Sequence, residues 1–381
     1  MNRGYGLAET RPAGIAGGCL LAFFLAYGSQ KSLATVISIT GRAATTVQEL
    51  IDDSPGSVNS DHEEFGVDTD EFPIDAFADL TSTDLSGNLV SLGQGFAQLS
   101  DPALDQENPE ELALEVGCYS NATSVSYLVQ STATESRTIV FTSLGSSVAP
   151  PDIRFGTDRT RTVESSVFLN GAIMFWSKAP AASLANMKSD LRVAVEHDGR
   201  SRPLFETTLV LTGSDDGVVG PTATGPIRFE IIDLEELATR GVDEASLAVL
   251  QAVADSGTLL VIAIPAQEHV YDYEVRANED FVLTATLEAR VRNAPEGTGV
   301  AAVLGRPFAN LADFVERGLP GVDGLAIEQT INEATGDRAL GLVTDDAAPW
   351  PRPALCGALG AEALALLFLT LLPGRLRPRF D

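Results

Sequence analysis

Three histidines, three cysteines and a large excess of carboxylates are the reactive groups this chain offers. A hydrolase built on Ser or Cys needs a histidine against its nucleophile, and a zinc centre needs several His or Cys ligands at defined spacing. His62 lies in an acidic stretch, His197 precedes Asp198-Gly199, and His269 stands at the start of a strand-like run. Neither a Gly-x-Ser-x-Gly elbow nor a His-Glu-x-x-His helix occurs. The three therefore read as separate surface histidines. Cys19 and Cys356 sit in apolar end segments, which leaves Cys118 alone in the middle, with no partner for an internal disulfide.

Carboxylates are the other resource. There are 53 acidic residues against 25 basic ones, a formal net charge of −28. Such a chain repels polyanions, so sequence-independent binding to nucleic acid is excluded. Glycosidases use two carboxylates across a sugar bond, but acids this frequent form such pairs by chance. Hard oxygen donors on loops suit calcium, and Asp68 with Asp70, and Asp215 with Asp216, are the best candidates. Neither pair fits the EF-hand loop, and no other cofactor is expected. Trp176, among Ile173, Met174 and Phe175, reads as core, whereas Tyr271 and Tyr273 share a strand face and offer a platform for a ligand. Gly297 to Gly305 lacks the spacing of a dinucleotide fingerprint and reads as a hairpin or loop.

The elements that would position these groups are mostly strands. Residues 35–110 form an acidic, turn-rich region: Val47 to Ile51 suggests a helical turn, and 52–79 a loop. Residues 111–344 carry strand patterns at 112–118, 124–129, 138–142, 163–176, 191–196, 204–212 and 227–232. Asn170-Gly171 leaves open whether 163–176 is one bent strand or a hairpin. Asp243 to Gly257 has an acidic start, an apolar repeat at Leu247, Leu250 and Ala254, and a glycine stop, which predicts a helix. Thr258 to Ile264 is a strand that Pro265 ends. Segments 270–276 and 281–291 read as an antiparallel pair, the second with one clean apolar face. Short helices or loops follow at 309–317 and 323–335. The fold class is mainly β: an antiparallel β-sandwich or jelly-roll with one or a few short helices, flanked by apolar terminal helices. Whether it is one sandwich or two stays open.

The two ends differ from the body. Arg3 and Arg11 precede an apolar run from Ile15 to Tyr27, and Ser32 and Ala34 supply the small residues of a cleavage site. Residues 1–34 thus read as a signal peptide or signal anchor. At the other end, 345–355 is a Pro-rich linker. Residues 356–381 start with Cys356-Gly357, continue in a nearly all-apolar run interrupted by Glu362, and end with Arg375, Arg377 and Arg379. Terminal arginines stay in the cytoplasm and leave the body outside. This order resembles the tripartite sorting tails of exported bacterial proteins, the PEP-CTERM and MYXO-CTERM types. The Cys-Gly start is nearest the latter, and the resemblance implies Cys356 as the processing or anchoring point.

Together these features lead to an expectation of an exported protein at the cell envelope or surface. It would be non-catalytic, with a structural, adhesive or matrix role, and held to the membrane through its C-terminal segment. Its partners would be export and sorting machinery and surface glycans or matrix. The alternatives are a carbohydrate- or calcium-binding surface module and a secreted hydrolase.

Overall fold

A computed structural model describes residues 33–51, 54–65, 74–83, 89–100, 113–122, 125–142, 160–178, 184–198, 200–276, 279–292, 297–305, 311–336 and 341–343. Among these residues fifteen strands lie in two sheets. They are β1 (Leu33–Ile51), β2 (Ser54–Phe65), β3 (Ile74–Thr83), β4 (Leu89–Ser100), β5 (Ala113–Ala122), β6 (Ser126–Thr142), β7 (Thr160–Ser177) and β8 (Lys188–His197). They continue with β9 (Phe205–Ser214), β10 (Gly217–Thr224), β11 (Glu230–Ile232), β12 (Thr258–Arg276), β13 (Asp280–Arg292), β14 (Thr298–Leu304) and β15 (Gly341–Val343). One sheet has the order β10-β9-β8-β13-β6-β1-β2; the other runs β11-β12-β7-β14-β5-β4-β3, with β15 added beside β7. All these pairings are antiparallel.

The inward faces of both sheets share one core, which takes in Val47, Leu99, Val116, Val129, Ile173, Leu209, Ile262 and Leu287. This is the packing of a sandwich. There is one such core, not two. The boundary expected at residue 110 is no boundary in the fold, since β1 pairs with β6, and β4 with β5, across it.

The eight-stranded sheet has a second cover. Helices α1 (Leu234–Thr239), α2 (Glu244–Ser256), α3 (Leu311–Gly318) and α4 (Gly324–Thr335) lay Leu237, Leu250, Val253, Phe314, Ile327 and Ile331 against its outer face, over Met174, Trp176, Val261 and Val303. Strand β14 is therefore buried along its whole length on both faces. That corrects the hairpin or loop read at Gly297 to Gly305; a strand covered on both sides is a continuous apolar run, not an alternation. Gly299 lies where Trp176 packs: a Cβ there would sit 2.0 Å from the indole. The α2 helix starts as its sequence requires, with Asp243 accepting from the backbone of Ala245 and Ser246. Ser246 joins two helix starts, because its Oγ donates to Asp243 (2.7 Å) and accepts from the backbone N–H of Asp323 (2.8 Å), the cap of α4.

Several strand boundaries differ from the sequence reading. Residues 124–129 and 138–142 belong to one strand, β6, and 163–176 is one strand, β7, with no turn at Asn170-Gly171. Pro265 does not end a strand. Strand β12 continues past it by skipping two residues in its pairing with β7, between Ile264 and Gln267. Proline has no N–H for the ladder, so a bulge is where a strand tolerates it. The bulge also shifts the phase: Ile262 and Ile264 face the core before it, and Tyr271, Tyr273 and Val275 after it. Segments 270–276 and 281–291 do not pair. The first lies on β7, whereas β13 crosses to the other sheet, between β6 and β8.

The acidic region 52–79, read as loop, contains β2 and the first part of β3, and Val47 to Ile51 is strand and not a helical turn. Strand β2 is an edge paired only with β1 and nearly all exposed, so it carries no apolar period for a sequence to show. Strand β3 does alternate, with Ile74, Ala76 and Ala78 buried between Asp75, Phe77 and Asp79. The terminal segments, with Cys356, Gly357, Arg375, Arg377, Arg379 and Ser32, lie outside the described residues, as do Asp68 and Asp70. Among the described residues no helix is long and apolar enough to cross a membrane.

Candidate functional site

Polar residues inside a sandwich must find partners there, and strand β6 carries two charges inward. Its inward row runs Val129, Ser131, Ala133, Glu135, Arg137, Ile139. Glu135 and Arg137 are both fully buried, and Arg137 Nε donates to Glu135 Oε1. Glu135 Oε2, Arg137 Nη1 and Arg137 Nη2 have no protein partner. Burial pushes the Glu135 carboxyl above the usual carboxylate range, and the Arg137 charge and hydrogen bond oppose that rise. A half-satisfied pair in a dry interior is costly, because each orphaned atom has given up its water.

The opposite sheet answers with hydroxyls and rings. Past the Pro265 bulge, Tyr271 and Tyr273 point inward at 6% and 2% exposure, which corrects the ligand platform expected on this strand. Ser165 on β7 donates to Tyr273 Oη at 3.2 Å, and Tyr273 is pushed up to about 12 by burial, which that bond opposes. Tyr271 Oη has no partner, and its pKa is raised by burial, then by Tyr273, with Arg137 lowering it and Glu135 raising it. His197 ends β8 beside this group. Its ring stacks on Phe281 at 5.2 Å with an interplanar angle of 3°, and meets Tyr273 edge-on at 5.9 Å. Its Nδ1 lies 2.6 Å from the Asp198 carbonyl oxygen, and its Nε2 is buried without a partner.

Glu135, Arg137, Tyr271, Tyr273, Ser165 and His197 thus form one polar and aromatic cluster between the sheets. A carboxyl, a guanidinium and a phenol meet there with donors and acceptors to spare. Sequence reading passed over Glu135 and Arg137. The signal was present: they fall in the same alternate positions of β6 as Ala133 and Ile139, and the phase that buries those two buries the charges as well.

The remaining sequence candidates do not assemble. His62 is exposed on β2, far in sequence and in sheet order from β8. His269 is half-buried, stacked on Phe205 at 5.3 Å, with Nε2 3.0 Å from Gln267 Oε1; it is held below the usual imidazole range by burial, then by Arg228. His197 and His269 are thus ring-packed and not free surface residues. Asp215 and Asp216 are exposed at the β9–β10 hairpin tip, and Gly217 follows with φ 125°. Among the described residues no three His, Cys, Asp or Glu side chains come together to hold a metal. A type of turn that demands glycine explains this Asp-Asp-Gly. Trp176 is core, as expected, packed on Phe314 at 4.9 Å. Cys118 is buried, and its thiol is pushed up to about 12 by burial. Ala34 stands in β1, opposite Phe141.

No protein-family model matches the chain, and no curated protein does. Solved structures that align with it include the infectious bursal disease virus Gx strain, at 7% identity over 70% of this chain and 65% of that one, with a TM-score of 0.12. The VP2 subviral particle of that virus aligns at 10% identity over 80% of this chain and 79% of that one, with a TM-score of 0.11. Likeness at that level carries no argument about this chain.

Proposed function

We propose that the chain is an exported, envelope-associated protein with a structural, adhesive or matrix role, and that it acts through the outer face of its seven-stranded sheet. That face carries the reading. Helices cover the outer side of the other sheet, but among the described residues none packs on this one. Its rows run across the strands as Thr40, Ser136 and Thr284, then Arg42, Thr134 and Thr286, then Ala44, Thr132, Glu288, Arg192 and Thr208. The side chains are tied to one another across strands: Ser38 Oγ to Thr138 Oγ1 at 3.0 Å, Ser136 Oγ with Thr284 Oγ1 at 2.9 Å, Gln130 Nε2 to Glu288 Oε1 at 2.9 Å, and Arg192 Nε to Glu206 Oε1 at 2.9 Å. Such pairs hold a broad hydroxyl-rich surface in place, and each adds a few tenths to about 1 kcal/mol to the sheet.

The apolar ends and basic C-terminal tail support export and membrane attachment, and the acidic surface supports solubility outside the cell. The carbohydrate alternative loses its platform with the burial of Tyr271 and Tyr273. Fractionation of the producing cells tests the proposal. The chain is expected in the envelope, open to a membrane-impermeant amine label. Recovery of the intact chain free in the cytosol would reject it.

A further inference from the structure

The two sheets meet along one seam, where edge strand β2 of the first runs beside edge strand β3 of the second. Among the described residues no ladder joins them; side chains do. Asn59, Asp61 and Glu63 are alternate residues of β2, so all three point the same way. Asn59 Nδ2 donates to the Asp79 carbonyl at 2.9 Å, Asp61 Oδ2 accepts from the Phe77 N–H at 3.0 Å, and Glu63 Oε2 accepts from the Asp75 N–H at 2.9 Å. Residues 75, 77 and 79 are the ones whose backbone groups turn away from β4, the only strand that β3 pairs with among the described residues. Two carboxylates and an amide therefore occupy the free edge that another strand would use.

We propose that β3 is a self-pairing edge which β2 holds shut, and that its partner is the β3 of a second copy of this chain. The sequence of the edge is self-complementary about Phe77. An antiparallel pair centred there lets the Phe77 N–H and carbonyl exchange bonds with their equivalents and sets two Phe77 rings side by side; Phe77 is 44% exposed in the single chain. The same register puts Asp75 opposite Asp79 of the second copy, so like charges oppose it at neutral pH. The net charge of −28 acts in the same direction over longer range. Removing the Asp61 and Glu63 side chains frees the edge, and replacing Asp75 and Asp79 by their amides removes the facing like charges. The other charged groups around the seam are Arg42 on β1, which pairs with Glu64 at 3.2 Å, Glu49 on β1, which accepts from the Ser57 N–H at 3.3 Å, and His62 and Glu64 on β2; β4 brings none.

The test uses the full chain in mild detergent, with mass measured by sedimentation. The wild type is expected to be monomeric, and Asp61→Ala with Glu63→Ala to shift towards dimer, further when Asp75→Asn and Asp79→Asn are added. Phe77→Pro removes an N–H that β4 does not use, so it should leave the fold intact and abolish that dimer. A fourfold variant that stays monomeric overturns the proposal. So does a dimer that Phe77→Pro leaves unchanged while circular dichroism shows the sandwich folded.

Discussion

Replacing Arg137 by Met tests the buried cluster most sharply. Both Arg137 and Glu135 are wholly inaccessible to solvent, and among the described residues the guanidinium is the one charge in contact with that carboxylate. Methionine keeps much of the side-chain volume, so the loss is chiefly electrostatic. Stranding one member of a buried ion pair costs about 3–5 kcal/mol, a large share of the roughly 5–15 kcal/mol that holds a typical domain folded. Removing both charges is different. Glu135→Leu with Arg137→Met replaces an incompletely bonded pair by apolar volume, and such exchanges run from neutral to about 1–4 kcal/mol stabilising. The pH dependence has a definite sign. Burial holds Glu135 above its unfolded value, so folding takes up a proton. Its contribution to stability is full below the unfolded carboxylate value and is lost as pH rises through the folded one. Without Arg137 the folded value rises further, and the Arg137→Met penalty shrinks on acidification. Urea unfolding of the three proteins, at neutral pH and at about pH 5, reads all of this. A single variant that loses under about 1 kcal/mol, or a double variant no more stable than the single, would refute the reasoning.

Other expectations follow from individual contacts. Gly299→Ala drives a methyl into the Trp176 ring and should cost about 1–3 kcal/mol, with a red shift of buried tryptophan emission. Native Cys118 should resist alkylation and should react once the chain is unfolded; mass spectrometry of the Cys118 peptide reads both states. His269 should titrate below the usual imidazole range by NMR, so its contribution to stability is present above that range and is lost as pH falls through it. A midpoint at or above the usual range would contradict the burial described for it.

The class of fold was legible because alternation survives wherever one strand face is buried and the other wet. Strand β13 is the clearest case, with Phe281, Leu283, Ala285, Leu287 and Ala289 buried in turn. The α2 helix was legible through its Asp243 cap and Gly257 stop. What failed did so for physical reasons. Strand β2 is an edge whose side chains nearly all meet water, so nothing in its composition separates it from a loop. Strand β14 is buried on both faces, and its Gly299, needed beneath Trp176, together with Gly297 and Gly305 at its ends suggested a turn. Pro265 was read as a stop because the sequence does not show the bulge that accommodates it. The pairing of β12 with β7, and of β13 with β6, is set by packing between sheets and not by local pattern. Of the polar cluster, Tyr271 and Tyr273 were noticed but turned the wrong way, since a two-residue bulge upstream changes which face a strand presents. Glu135 and Arg137 were hidden by the ordinary assumption that charge faces water.

The proposed placement of the chain outside the cell membrane rests on its ends, and intact-mass spectrometry of the mature protein from the envelope of its own cells measures both at once. The expected result is a new N-terminus following Ala34, which leaves β1 to begin at Thr35 opposite Val140, and a C-terminus processed or modified at Cys356. A single species running unmodified from Met1 to Asp381, recovered from the cytosol, would contradict it.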